Sequence, residues 1–231
     1  MKTTTDHRPR VNAERRAKMR RRLIEAAMLV FAEKGMERSL IDDVMTTADV
    51  SRGGFYGHFR SMGEILAAVG EELGNELVQL IEERIATIAD PAERIAHGLL
   101  LYLRCTQTYP HLARFVAATG LHVNNPHNLV YEHLPRHIAA GNASGRLTVP
   151  EPNVALDLIA GTMFVAVSRA ASWQVPPSYH RAVIASIMMG LGMSRAAAGK
   201  LARLEVDAII PPTDSLLMRS HMRQQSLRSH S

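Results

Sequence analysis

Cysteine is almost missing from this chain. Cys105 stands alone among 231 residues, so no disulfide can form within the chain, and a reducing cytoplasm is the expected setting. Long apolar runs are missing as well. The longest, near Leu158 to Val167, is too short to span a bilayer. The basic N-terminus lacks the apolar segment that follows in a secretory signal. Strand-like alternation is scarce, and no Gly/Ser-rich linker divides the chain. GxSxG, HExxH and the phosphate-binding loop are all absent, and linear spacing shows no Ser-His-Asp or Cys-His arrangement. These absences leave no positive signal for an enzyme, a disulfide scaffold or a membrane-spanning protein.

What remains is helical. Apolar residues recur at three-to-four spacing along most of the chain, so the expected fold class is all-α. Leu23, Ile24, Ala27, Val30 and Phe31 mark a first helix from about Ala13 to Lys34, ended by Gly35. Leu66, Val69, Leu73, Leu77, Leu80, Ile81 and Ile88 mark a long one from about Ser61 to Ala89. Asp90-Pro91-Ala92-Glu93 is a helix start, and Tyr109-Pro110 a stop. Further helices are expected from His111 to about Thr119, from Asn124-Asn125-Pro126 to about Ala140 with a kink at Pro135, and over 153–173 and 178–192. Ser194 to Ile210 has room for one more. The polar, charged segments 1–12 and 211–231 read as a disordered arm and a disordered tail.

Charge is unevenly spread. The formal net charge is +5, yet residues 1–22 hold nine lysines and arginines against Asp6 and Glu14. Residues from Pro212 onward hold Arg219, Arg223 and Arg228 against Asp214, so the body between is mildly acidic. A basic arm suits phosphate binding through counterion release.

That arm precedes the most informative stretch, Ser39 to Leu66, SLIDDVMTTADVSRGGFYGHFRSMGEIL. Ser39 is placed to cap a short helix, with Asp42 three residues on completing a capping box. Ala48-Asp49-Val50 makes a turn in which Asp49 occupies a left-handed position. Ser51 caps a second short helix to about Tyr56, and Ser61 with Glu64 starts the next. Two short helices joined by a tight turn, on a basic chain, make the helix-turn-helix geometry that puts its second helix in the DNA major groove. Arg52 is the candidate base reader, because a guanidinium can bond two acceptors on guanine. Gly53 and Gly54 let the backbone approach another surface closely.

The same residues carry a family resemblance. Ala26-Ala27, Phe31 and Gly35, then Ser39, Val44, Ala48, Val50-Ser51, Gly53, Phe55-Tyr56, His58-Phe59, Ser61 and Leu66, resemble the DNA-binding domain of the tetracycline-repressor (TetR) family of bacterial regulators. The resemblance covers roughly residues 15 to 68. It implies a helix-turn-helix domain over 13–60, with Ser39, Ser51, Arg52, Gly53, Gly54, Tyr56, His58 and Arg60 at DNA. It also implies a helical regulatory and dimerisation domain over 61–210. The family usually carries Ala, Gly and Lys where Met45, Asp49 and Met62 stand. The missing lysine removes a phosphate contact at the start of the fourth helix.

The segments 153–173 and 178–192 are apolar on nearly all sides and call for burial. In the family the equivalent helices form a four-helix dimer interface, so a twofold homodimer is expected. An effector pocket is expected after Ile95, with Tyr102, Arg104, Phe115, His122, Met163, Phe164 and Trp173 as candidate lining; ordinary core packing suits the same residues. The effector is expected to be largely apolar. His133 and His137 lie four apart, but Pro135 intervenes and no acid or thiol joins them locally, so no metal and no cofactor are expected. The reading is a cytoplasmic, ligand-responsive regulator, a repressor on a near-palindromic double-stranded operator. The alternatives are a helical binding protein with a weakened DNA reader, or an enzyme using the histidines.

Overall fold

The first helix decides the architecture, because its buried face packs both on the helices Ile41–Ala48 and Met62–Ile85 and on the helix Pro110–Thr119. In the computed structural model, described over residues 8–120 and 128–229, α1 spans Arg8–Lys34. Leu23, Ile24, Ala27 and Phe31 on it are buried. They share one apolar cluster with Val44 and Ala48 of α2 (Ile41–Ala48), Phe55 of α3 (Arg52–Tyr56), Phe59, and Ile65 and Val69 of α4 (Met62–Ile85). Each of the larger side chains contributes about 1.5–3 kcal/mol by leaving water, and this shared burial fixes helices too short to persist alone. Gly35, at φ 75, ends α1 in the left-handed region, with its N–H bonded to the Phe31 carbonyl at 3.0 Å.

Seven more helices follow among the described residues: α5 (Pro91–Thr108), α6 (Pro110–Thr119), α7 (Val130–Ala143), α8 (Pro152–Ser172), α9 (Tyr179–Gly190), α10 (Arg195–Leu201) and α11 (Leu216–Ser229). Asp90 caps α5 as its sequence predicts, accepting from the Ala92 and Glu93 amides. A second core joins Ile95 and Leu103 of α5, Ile138 of α7, Ile159, Met163 and Val167 of α8, and Ile184, Ile187 and Met188 of α9. Helix α6 sits between the cores. Its Leu112 and Phe115 belong to the first and its Ala113 to the second, and Phe115 meets Phe31 edge-on, ring centroids 6.4 Å apart.

Several expectations need correcting. Residues 8–12, expected in a disordered arm, form the first turns of α1. Helix α4 stops at Ile85, before Ala89. The Asn124-Asn125-Pro126 start lies outside the described residues. The described helix begins at Val130, where Asn75 of α4 accepts the Leu129 amide at 2.8 Å, and it runs through Pro135 to Ala143. Helix α8 is 21 residues with mean hydropathy 1.6, long and apolar enough by length and composition to cross a membrane. Its inner face nevertheless packs into the second core.

The largest correction concerns the tail. Residues 216–229, expected to be disordered, form α11 against α1 and α4. Leu216 and Leu217 are fully buried. Glu76 of α4 receives both of their amides, at 2.6 and 3.1 Å, and so caps the helix from a distant part of the chain. Arg219 pairs with Glu25 and Glu72, each at 3.5 Å. Arg223 pairs with Glu25 at 3.3 Å and donates to the Thr47 carbonyl at the end of α2. His221 stacks on His111, which meets Ser220 Oγ at 3.0 Å. Two of the three tail arginines counted as free positive charge are therefore used within the fold. Leu217→Ala should cost about 2–4 kcal/mol, the usual range for emptying a leucine site. Urea unfolding checks it, since a loose tail would give no change.

Candidate nucleic-acid interface and effector cavity

The turn between α2 and α3 is held from outside. Asp49 adopts φ 52, the one left-handed non-glycine among the described residues. Its N–H and that of Val50 close the end of α2 on Thr46 and Met45. Arg22 of α1 then binds the turn, donating to the Ala48 carbonyl at 2.6 Å and the Asp49 carbonyl at 3.0 Å. It also meets the Asp49 carboxylate at 3.3 Å. Arg20 lies 5.6 Å over the Phe59 ring and 3.5 Å from Glu72. These two members of the basic segment stabilise the reader, which leaves Arg15, Arg16, Lys18 and Arg21 exposed along the start of α1.

Helix α3 presents a compact polar surface. Ser51 Oγ accepts the Gly54 amide at 3.2 Å. Arg52, Gly53, Tyr56 and Arg60 are exposed while Phe55 and Phe59 anchor the helix in the core. The Arg52 guanidinium sits 6.0 Å from the Tyr56 ring centre, an i,i+4 cation–π contact that orders both before any partner arrives. His58 is half-buried, and burial, then the nearby Arg16 and Arg20, push its pKa below the usual histidine value. That places the start of α1 beside the end of α3. Ser61 caps α4, and Glu64 reaches back to the Arg60 amide at 2.6 Å.

Ser39 does not belong to this surface. It is buried, and its hydroxyl donates to the Gly35 carbonyl at 2.5 Å. The cap of α2 is one residue later, where Asp43, not Asp42, accepts the Leu40 amide at 3.0 Å. Asp43 is also paired with Lys34 at 2.7 Å.

The larger domain encloses a cavity of about 320 Å³ between α4, α5, α6, α7 and α8. Tyr102, Phe115, Met163 and Phe164 line it, as the sequence predicts. Burial holds the Tyr102 phenol up at about 12, so it stays protonated. Arg104 is exposed on α5 and lines nothing there. Trp173 is 65% exposed, in a shallow surface groove with Arg169 stacked on it at 5.4 Å. Both fall on the outward side of their helices, a side that composition alone does not reveal. His122 lies outside the described residues. Sequence reasoning missed Glu82, which lines the cavity with His133 and His137. His137 Nε2 is 2.9 Å and His133 Nδ1 3.3 Å from the Glu82 carboxylate. The acid comes from α4, more than fifty residues away, so local spacing could not show it. Among the described residues no group of three or more such side chains is arranged to hold a metal ion.

Family profiles agree with this division. The profile for "Bacterial regulatory proteins, tetR family" matches residues 23–69, and that for "Tetracyclin repressor-like, C-terminal domain" matches 90–204. The chain belongs to the TetR family. The repressor DhaR of Mycobacterium sp. (strain GP1) is 30% identical over 79 residues, 34% of this chain and 40% of that one. The regulator YvdT of Bacillus subtilis (strain 168) is 30% identical over 64 residues, 28% and 33% of the two chains. This TetR-family chain thus spans less than half the length of these curated relatives. Among solved structures, RolR in complex with resorcinol superposes with TM-score 0.70 at 22% identity, over 86% of this chain and 100% of that one. FadR of Bacillus subtilis in complex with stearoyl-CoA gives 0.55 at 20%, over 82% and 98%. These likenesses show the fold.

Gly53 allows fold and DNA affinity to be tested separately within this TetR-type reader. A Cβ there would meet nothing within 4 Å, so Gly53→Ala should fold at least as well as the parent. Its specific DNA affinity should fall about tenfold, the added methyl costing about 1.4 kcal/mol of lost close approach. Thermal unfolding and gel-shift titration together check this; unchanged affinity would take Gly53 off the interface.

Proposed function

We propose that this chain is a ligand-responsive DNA-binding transcriptional regulator, a repressor acting from the cytoplasm as a homodimer on a near-palindromic operator. The observation that carries the reading is the pairing of an exposed, pre-ordered Arg52–Tyr56 surface on α3 with a largely apolar cavity in the adjoining domain. Two such α3 helices in a dimer reach successive major grooves. The exposed arginines of α1 supply salt-dependent affinity, and Arg52 supplies base reading. Arg52→Ala should relax sequence preference and cost about 1–3 kcal/mol on the selected site. Selection from a random DNA pool at two salt concentrations provides that site. Equal losses on selected and random DNA would remove Arg52 as a reader.

The dimer reading rests on the outer face of α8. Val154, Leu158 and Val165 are exposed on it, within about 40° of the helix circumference at 3.6 residues per turn, and Trp173 is exposed just past its end. A Cβ on Gly161, on the same stripe, would meet nothing within 4 Å, which leaves room for a neighbouring helix to come close. The exposed side of α9 adds the small residues Ala182, Ser186 and Gly190. A face this apolar on a water-soluble regulator calls for cover, and a second copy of the same face supplies it. Val165→Asp should leave a folded monomer in sedimentation analysis and weaken operator binding at least tenfold. A dimer that survives the change would move the interface elsewhere.

The effector is proposed to be small and largely apolar. The structurally similar proteins bind ligands as unlike as resorcinol and stearoyl-CoA. A cavity of about 320 Å³ lies at the lower end of ligand sites and favours the compact class. Its ceiling, Leu112 and Phe115 on α6, rests on α1 through Phe31. A ligand that fits one placement of α6 better than another biases the position of the reader, and it does so only by that difference in affinity.

A further inference from the structure

The cavity is largely apolar, and Glu82, His133 and His137 form a polar cluster in its lining. Glu82 Oε1 lies 2.9 Å from His137 Nε2, and Glu82 Oε2 lies 3.3 Å from His133 Nδ1. The His137 contact is a hydrogen bond, with Nε2 also 3.1 Å from Glu82 Oε2, so this imidazole turns an N–H toward the carboxylate. His133 stands beside the carboxylate at ion-pair distance. The His137 donor is therefore used internally, while the carboxylate keeps lone pairs of its own to offer a donating guest.

Charge points the same way. The lining carries Glu82 and Asp157. Its one arginine, Arg94, donates through both Nε and Nη2 to the Ile88 carbonyl. A carboxylate or phosphate guest would meet two acids and an arginine already engaged. An ammonium would lose its water in a largely apolar space at high cost. A hydroxyl meets neither penalty. Size sets the remainder: about 320 Å³ holds about ten waters at their liquid volume, and so an organic molecule on the order of ten to fifteen non-hydrogen atoms.

We propose that Glu82, oriented by His133 and His137, is the specificity anchor of the cavity, and that it selects an uncharged ring compound that donates a hydroxyl hydrogen bond. This rests on the reading of the cavity as the effector site. Glu82 accepts the hydroxyl proton's hydrogen bond while the ring fills the space between Tyr102, Phe115 and Met163. The histidines hold the carboxylate in place and are positioning residues.

Calorimetric titration of the full-length protein with three probes of one shape tests this. They are 2-naphthol, 2-methylnaphthalene, which lacks the donor, and 2-naphthoate, which is an anion. The naphthol should bind at least tenfold tighter than either of the others. Glu82→Gln should lower that preference by tenfold or more while leaving the affinity for methylnaphthalene unchanged. His133→Gln, a milder change, should lower it by a smaller factor. Equal affinities for the three probes would overturn the anchor and leave the effector cavity standing. A parallel loss of naphthol and methylnaphthalene in both variants would make Glu82 a packing residue and overturn the anchor likewise. No binding of any probe by the folded parent would overturn the cavity as a small-molecule site and the anchor with it.

Discussion

Everything in this molecule hangs on the buried face of α1. The stripe that closes the small core around Phe55 and Phe59 continues to Phe31, which packs on Phe115 of the other domain. Interiors packed at crystal-like density transmit displacement because no slack absorbs it. The reader and the cavity are thus separated by one layer of side chains at this point: Phe31 belongs to the reader's own helix, and Phe115 lines the cavity. No flexible hinge divides them. Helix α4 gives a second connection, since Ile65 and Val69 belong to the reader's core while Leu77, Ile81 and Glu82 line or border the cavity. Contacts between the two domains are thus made at two places, through α6 on α1 and along α4.

Helix α11 adds a third tie of a different kind. Its anchors are Leu216 and Leu217, and an ionic network joins it to α1 and α4. Glu25 lies between Arg219 and Arg223, and Glu72 between Arg20 and Arg219. A shared carboxylate loses side-chain freedom once for two bridges, so such a network outperforms isolated surface pairs. It also joins α1, α4 and the end of α2 near the turn that aims α3. The family profiles end at residue 204, so this tie lies outside the part of the chain that the profiles describe.

The sequence was most legible where one rule dominated. Asp90, Ser51 and Ser61 all cap the helices they precede, because a cap is decided within four residues. The reader's core, with Val44, Phe55 and Phe59, was legible because helical periodicity and motif agree there. It was least legible where partners are remote. Ser39 and Ser51 look alike in sequence, yet Ser39 turns inward to Gly35 because Leu40 takes over the cap. The tail looked disordered because its fourteen helical residues, mostly polar and of mixed pattern, show no stripe, and its partners Glu25, Glu72 and Glu76 lie some 140 to 200 positions earlier. Glu82 escaped for the same reason. Helix direction was the third limit: Arg104 and Trp173 were rightly placed on helices of the domain and wrongly faced.

The apolar outer face of α8 and the apolar cavity raise one physical question, since both are hydrophobic surface without a partner within the chain. The cavity is a concave space whose wall on α8 is backed by the buried Ile159, Met163 and Val167. The outer face has no such backing: Val154 and Trp173 are each about two-thirds exposed. Hydrophobic area of that sort drives association in proportion to the area removed from water, whereas a concave cavity favours what fits and finds partners for its polar groups. The same helix therefore has one face suited to an unspecific requirement, being covered, and one suited to a selective one, being filled. On the proposed dimer the far side of α8 would be pinned by the partner subunit, and an effector pressing on Met163 or Phe164 would then act toward α6, α1 and the reader.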